Sequence, residues 1–262
     1  MSLPTIRFTK ASACGNDFLI SDGADAGGDF AEITRRMCDR HNGVGADGVE
    51  WLFPDAQADV ALRLFNADGS EAEISGNGTR CVAAELCSRA EKKEVRIRTG
   101  GGLKTCRLIR RSAATFEFEA DMGEPVVGEE LVVESGSARV LGTKVSMGNP
   151  HFVIFVDKFA EGWQREAAVI GAQPVFPEGT NVEYVVVRRP HQIDIRLFER
   201  GVGETESSGT GSCAAAVAAI AAGPVSSPVT VVAPGGAQTV RWDKSVFLTG
   251  PATLICRGEF LI

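Results

Sequence analysis

The sequence is poor in the residues that build cofactor and metal sites, and it lacks their usual spacings. It holds three histidines, and its seven cysteines (Cys14, Cys38, Cys81, Cys87, Cys106, Cys213 and Cys256) form no C-x-x-C pair. An odd count without paired spacing argues against a disulfide framework or a zinc knuckle; most of these thiols are expected reduced and packed as small hydrophobes. No G-x-x-x-x-G-K-[ST] loop and no strand-linked G-x-G-x-x-G is present, so the common nucleotide fingerprints are missing. Neither a metal nor a cofactor is expected. There is no run of Lys and Arg, and the net charge is −7, which argues against nucleic acid and anionic membranes as partners. No apolar stretch approaches the roughly 20 residues that span a bilayer. The opening Met1-Ser-Leu-Pro-Thr-Ile-Arg7 lacks a signal-peptide pattern, which predicts the cytoplasm.

Glycine, by contrast, is plentiful at 30 residues, as expected of many tight turns and close backbone approaches. Much of it falls in an internal repeat. Arg63-Leu-Phe-Asn-Ala-Asp-Gly-Ser-Glu-Ala-Glu-Ile-Ser75-Gly-Asn-Gly78 lies without a gap over Arg196-Leu-Phe-Glu-Arg-Gly-Val-Gly-Glu-Thr-Glu-Ser-Ser208-Gly-Thr-Gly211, an offset of 133 positions (75 to 208). Gly15-Asn16 maps to Gly148-Asn149 and Val49-Glu50-Trp51 to Val182-Glu183-Tyr184 at the same offset, while Lys10-x-Ser and Lys144-x-Ser nearly share it. Such a period is far too long for a solenoid, so the chain reads as a duplicated domain. The halves are expected at 1–121 and 122–262, with a junction near Met122–Gly128 and a last strand that returns to the first half. Paired about a pseudo-twofold axis, their matching residues would face one cleft.

Each half reads as α+β. A strand-like run (59–65; 192–198) precedes a glycine-bearing loop, then Ser-Gly-x-Gly, then a helix. The second helix, from Cys213, is apolar on every face and stops at Gly223-Pro224, which predicts a buried position in the middle of its half. The first, from Arg80, looks more amphipathic. Further strands are expected at 152–156, 184–187 and 229–232.

At each Ser-Gly-x-Gly the helix start offers unpaired N–H groups and partial positive charge, and glycine lets a ligand approach; such a site takes a carboxylate or phosphate without a basic side chain. The alternative is that Ser75 and Ser208 are simple N-caps. Asn16, Asn77, Asn149 and Asn181 lie in glycine-rich turns, where asparagine is commonly structural; together they could also read the ammonium and carboxylate of a zwitterion. Glu199-Arg200 stands where the first half has Asn66-Ala67, which makes one side of the cleft charged and suits an unsymmetrical ligand. His151 is the one histidine inside a repeat landmark. It is open to two readings, a satisfied surface histidine or a proton-transfer group.

The motifs Gly15-Asn-Asp-Phe18, Arg40-His-x-Gly-Val-Gly-Ala-Asp47, Asn66-Ala-Asp-Gly-Ser-Glu-Ala-Glu73, Gly76-Asn-Gly-Thr-Arg-Cys81, Gly148-Asn-Pro-His151, Gly179-Thr-Asn-Val182, Glu199-Arg-Gly-Val-Gly-Glu-Thr205 and Gly209-Thr-Gly211 resemble, in order and over nearly the whole chain, those of the diaminopimelate epimerase family. The resemblance implies a two-domain fold, each half a strand cage around a central helix. It also implies cofactor-independent inversion at the α-carbon of LL- or meso-diaminopimelate, on the lysine pathway. By that resemblance Asn16, Asn66, Asn149, Asn181, Glu199 and Arg200 contact substrate, and Gly76, Asn77, Gly209 and Thr210 hold its carboxylate. His151 and Glu199 assist the acid/base pair, and self-association into a homodimer stays open.

The family's acid and base are two cysteines; the matching positions here are Ser75 and Ser208. Cys81 and Cys213 match other family cysteines and fall inside the helices. A free thiol has a pKa near ~8.5 and a hydroxyl about 15–16, so forming an alkoxide instead would add roughly 9–10 kcal/mol to the barrier. Three readings follow: an epimerase scaffold with both acid/base groups replaced, a related isomerase or dehydratase on another amino or hydroxy acid, and a non-catalytic amino-acid binding protein.

Overall fold

The structure, a computed structural model, describes residues 4–136 and 138–262; Met1–Leu3, the start of the segment read for a signal peptide, lie outside the described residues. Two compact units emerge: one runs through Ala120 and takes in Gly250–Ile262, the other is Asp121–Thr249. Among the described residues no helix is long and apolar enough to cross a membrane.

In the first unit the order is β1 (Thr5–Ala13), β2 (Asn16–Asp22), α1 (Phe30–Cys38), β3 (Gly48–Phe53), β4 (Val60–Asn66), β5 (Glu71–Ala72), α2 (Gly76–Arg89), β6 (Glu94–Thr99), β7 (Gly102–Ser112) and β8 (Thr115–Gly123). The ribbon β9 (Val126–Ser135) follows. The second unit then repeats the order as β10 (Ala138–Ser146), β11 (Pro150–Phe155), α3 (Trp163–Gly171), β12 (Asn181–Arg189), β13 (Gln192–Glu199), β14 (Gly203–Thr205), α4 (Gly209–Ala221), β15 (Val229–Ala233), β16 (Gly236–Trp242) and β17 (Val246–Leu261), the last of which belongs to the first unit from Gly250 on.

Pairing repeats with the elements. β2 lies parallel to β3, as β11 does to β12; β3–β4 and β12–β13 are antiparallel, and β4–β6 and β13–β15 are again parallel. Each parallel pair leaves room for a crossover, and the crossovers are the helices. The strand expectations at 59–65, 192–198, 152–156, 184–187 and 229–232 correspond to β4, β13, β11, β12 and β15.

Period-two alternation gives each sheet two buried faces. On the inner face of the first unit Phe18, Ile20, Leu52, Leu62 and Leu64 pack on Cys81–Ala84 of α2. On its outer face Leu19, Val49, Trp51 and Phe65 pack on Ile33 and Met37 of α1. The second unit repeats this, with α4 enclosed by Val153, Val185, Ile195 and Leu197 and with Phe152, Val182 and Tyr184 packed on Trp163 and Ile170 of α3. A helix in the middle of each cage is therefore what the fold contains. α4 is alanine-rich because strands close on it from several sides, and small side chains let them approach.

The expectation of an amphipathic first helix needs correction. From Asn77 to Glu85 every residue of α2 is buried, Arg80 and Glu85 included. These two polar residues mimic an exposed stripe in the sequence, but each is buried with partners of its own. Arg80 donates to the carbonyls of Gly76 (3.3 Å) and Pro251 (3.4 Å), and Glu85 accepts from Arg89 and Arg257, 2.8 Å each. Burial alone would raise the Glu85 carboxyl, but the two guanidinium groups outweigh it and hold it low. Of the seven cysteines only Cys256 is exposed; burial drives the thiols of Cys81 and Cys106 well above the ordinary range, so they behave as hydrophobes.

Candidate active site

Both Ser-Gly-x-Gly segments are helix starts. Ser75, at φ −123° and ψ 124°, is the N-cap of α2, and its Oγ accepts from the Gly78 N–H at 3.1 Å. Ser208, at φ −140° and ψ 130°, caps α4 the same way, with Gly211 N–H at 3.3 Å. The capping role is real at both positions, but it does not exhaust them. Ser208 Oγ also donates to Glu199 Oε2 at 3.2 Å, a carboxylate held at the end of β13. Asn66, the position that matches Glu199, instead donates to Ser70 Oγ at 3.0 Å and is exposed.

Around each cap the turn residues pair in the same pattern. The Gly15 and Gly148 turns both need positive φ (86° and 96°), which glycine takes without strain and which delivers Asn16 and Asn149 at matched places. Asn77 Nδ2 donates to Asn16 Oδ1 at 2.7 Å, and Asn149 Nδ2 reaches Thr210 Oγ1 at 3.4 Å. In the first unit Asp47 Oδ2 fixes the other end of Asn16 at 3.2 Å, and Arg40 joins Asp47 and Asp17 at 2.8 Å each. Buried Arg80 holds Asn77 Oδ1 from below. In the second unit Asn181 Nδ2 donates to the Pro150 carbonyl at 2.8 Å, while its Oδ1 accepts the Arg200 N–H at 2.9 Å. The Arg200 guanidinium rests on the Glu178 carbonyl at 2.9 Å. The structure thus gathers Asn16, Gly76 and Asn77 near the head of α2, and Asn149, Asn181, Glu199, Arg200, Gly209 and Thr210 near the head of α4, while Asn66 is exposed and bonded to Ser70. Carboxylate or phosphate oxygens suit both heads, since the first-turn N–H groups of Gly76-Asn77 and Gly209-Thr210 are donors with favourable dipole.

His151 is not at the surface. It is 2 % exposed, in β11, with Nδ1 at 2.7 Å from Glu183 Oε1 and Nε2 at 3.0 Å from Asn149 Oδ1. Glu183 was legible only as part of a repeated Val-Glu-aromatic landmark, and so was its counterpart Glu50. Both carboxyl groups turn out fully buried on the helix side of their strands, behind the first turns of α4 and α2. Burial raises both: Glu50 reaches about 8, and Glu183 is raised by burial and by Glu199, against the pull of His151. A helix start favours a nearby carboxylate by up to about 2 kcal/mol, less than the several kcal/mol that full desolvation costs, so burial wins at Glu50. The two glycines are required by these acids and by packing. A Cβ on Gly78 would lie 1.7 Å from Glu50 Oε1, and on Gly211 it would lie 2.6 Å from Leu197 Cδ2 and 3.0 Å from Glu183 Oε1. Among the described residues no group of three or more His, Cys, Asp or Glu side chains is arranged to hold a metal ion.

The model of the family described as diaminopimelate epimerase matches residues 8–127 and 143–255, which takes in both caps and nearly all of both units. The chain belongs to the diaminopimelate epimerase family. Its sequence is 41 % identical to a diaminopimelate epimerase of Pelotomaculum thermopropionicum, over 97 % of this chain and 99 % of that one. A diaminopimelate epimerase of Parabacteroides distasonis is 38 % identical over 97 % of each chain. Among solved structures, a phenazine biosynthesis protein of the PhzF family from Bacillus anthracis superposes with a TM-score of 0.76 over 100 % of both chains at 16 % identity, a likeness of fold alone. Diaminopimelate epimerases are isomerases, and the duplicated α+β cage is the fold this family shares with such neighbours. Within the epimerase frame, the positions at the two helix heads carry hydroxyls.

Proposed function

We propose that the chain binds LL- or meso-diaminopimelate at the heads of α2 and α4, in the cytoplasm, as a cofactor-free epimerase of lysine biosynthesis whose two acid/base seats hold Ser75 and Ser208. The reading rests above all on one observation: Ser208 Oγ hydrogen-bonds Glu199 at 3.2 Å while capping a helix start, so a group at that seat has both a proton partner and an anion-binding backbone beside it. Inversion needs a base and an acid on opposite faces of one α-carbon. In this reading Ser75 and Ser208 occupy those seats, with Glu199 and His151 assisting and with Asn16, Asn66, Asn149, Asn181 and Arg200 reading the amino and carboxylate groups.

The serines make the two-thiol route slow, because an alkoxide costs roughly 9–10 kcal/mol more to form than a thiolate. Helix starts recover only part of that. The expected behaviour is substrate binding with very weak turnover. NMR in D2O with diaminopimelate tests it, comparing the chain with the Ser75→Cys/Ser208→Cys double variant. Deuterium should enter at Cα rapidly in the double variant and hardly at all in the parent. A silent double variant that still binds substrate would instead mark an amino-acid binding protein.

Glu199 favours a second reading. A carboxylate at the end of β13 could serve as the base itself, with the hydroxyls donating hydrogen bonds only, as in an isomerase or dehydratase acting on another acid. Under that reading the parent chain exchanges an α-proton or releases water with some member of an amino- and hydroxy-acid panel, and Glu199→Gln abolishes it.

A further inference from the structure

His151 Nδ1 faces a carboxyl oxygen and its Nε2 faces Asn149 Oδ1, also an acceptor. A neutral imidazole carries one N–H and cannot satisfy two acceptors. The contacts close if one additional proton sits on the Glu183–His151 pair. Whether it rests on Nδ1 or on Glu183 Oε1, 2.7 Å away, Nε2 keeps its hydrogen in both cases and the pair is uncharged overall. Ionised Glu183 with a neutral ring would leave a net negative charge on groups 1 % and 2 % exposed, with Glu183 Oε2 unpartnered. Among the described residues no Lys or Arg bears on Glu183. The ionisable groups bearing on Glu183 are His151 from β11 and Glu199 from the end of β13, and α4, packed on the same side, brings Cys213 as its one titratable side chain. Burial of an unpaired charge is the costlier arrangement.

The duplicated half provides the contrast. By register, Phe18 faces Gly48 in the first unit as His151 faces Asn181 in the second, so Phe18 stands where His151 would be. Among the described residues Glu50, the partner of that position, has no hydrogen-bond partner for either oxygen. One half has kept a wired carboxyl–imidazole pair and the other an isolated carboxyl.

We propose that Glu183 is a positioning residue: it keeps a hydrogen on His151 Nε2, which holds the Asn149 amide by its oxygen and turns the NH2 toward Thr210 at the head of α4. Asn149 then offers a substrate hydrogen-bond donors, the match for a carboxylate oxygen, and His151 enters the reaction as a hydrogen-bond donor and not as a free base. This deepens the reading above and rests on it for the substrate.

The test is nitrogen-15 NMR of the uniformly labelled chain, in which three histidines keep the ring signals few. His151 Nε2 should carry a hydrogen at about neutral pH in the unaltered chain. Glu183→Gln, whose amide can donate to Nδ1, should preserve that hydrogen. Glu183→Leu should leave Nδ1 without a partner, shift the His151 ring-nitrogen signals as the ring loses its anchor, and weaken diaminopimelate binding about tenfold or more, while Glu183→Gln binds nearly as the parent does. A bare Nε2 in the unaltered chain overturns the proposal even if no variant folds, and so does a His151 signal unchanged by Glu183→Leu. If diaminopimelate binds to none of the three, the functional reading fails while the ring spectrum still decides the role of Glu183.

Discussion

Glu50 is a fully buried carboxyl group with no hydrogen-bond partner among the described residues, and its chemistry should be visible in stability. Folded, it holds its proton up to about pH 8; unfolded, it releases it near 4.5. Between those values the folded state binds more protons than the unfolded one, so stability declines as pH rises, by roughly 4–5 kcal/mol at most from this group. Glu50→Gln should flatten that decline: urea melts at about pH 5 and pH 8 should differ less for the variant than for the parent. The two serines make a second comparison. Ser75→Ala removes a cap and should cost about 1 kcal/mol. Ser208→Ala removes a cap and also the neighbour of half-buried Glu199, so it should cost more in the same melts. The sequence showed the serines, the asparagines and the Val-Glu-aromatic repeat, since each is a short local pattern. It did not show that either glutamate is buried. An acid in an apolar strand reads as an exposed position until the helix packed over it is known, and the same blindness hid the grip of Asp47 on Asn16 and of Arg80 on Asn77.

At the scale of elements, what matters is how closely each central helix starts against its strand. Gly78→Ala places a methyl group into the Glu50 carboxyl, whereas Gly211→Ala meets the tip of Leu197 first. Leucine can shift, and a buried carboxyl under a helix start has little room. Gly78→Ala is therefore expected to destabilise by about 1–3 kcal/mol or more, and Gly211→Ala by less, as read from thermal melts. The helices themselves were legible to different degrees. α4 announced its burial through an unbroken apolar composition. α2 concealed it, because Arg80 and Glu85 are satisfied by Pro251 and Arg257, residues some 170 positions away that no local window connects to them.

At the scale of the molecule, duplication was the most legible property, because an offset of 133 recurs from turn to strand to helix. The register of the last strand is set by pairing with β1, at the opposite end of the sequence. β17 pairs with β16 through Val246–Thr249, then from Thr253 to Leu261 pairs with β1 in the first unit. Ala252 enters the α2 core, and Arg257 meets Glu85. Ending the chain at Thr249 should accordingly leave the second unit protected from proteases and open the first to cleavage within residues 4–120, a difference that limited proteolysis with mass spectrometry reads directly. The route of β17 also sets an order of events during synthesis. Domains commonly fold as they leave the ribosome, N-terminal first. Here the half translated first lacks a strand until residues 250–262 emerge, so the second unit can close while the first still waits with an open edge beside β1. The older half of the chain is the last to finish, and for that interval its safety depends on chaperones or on speed.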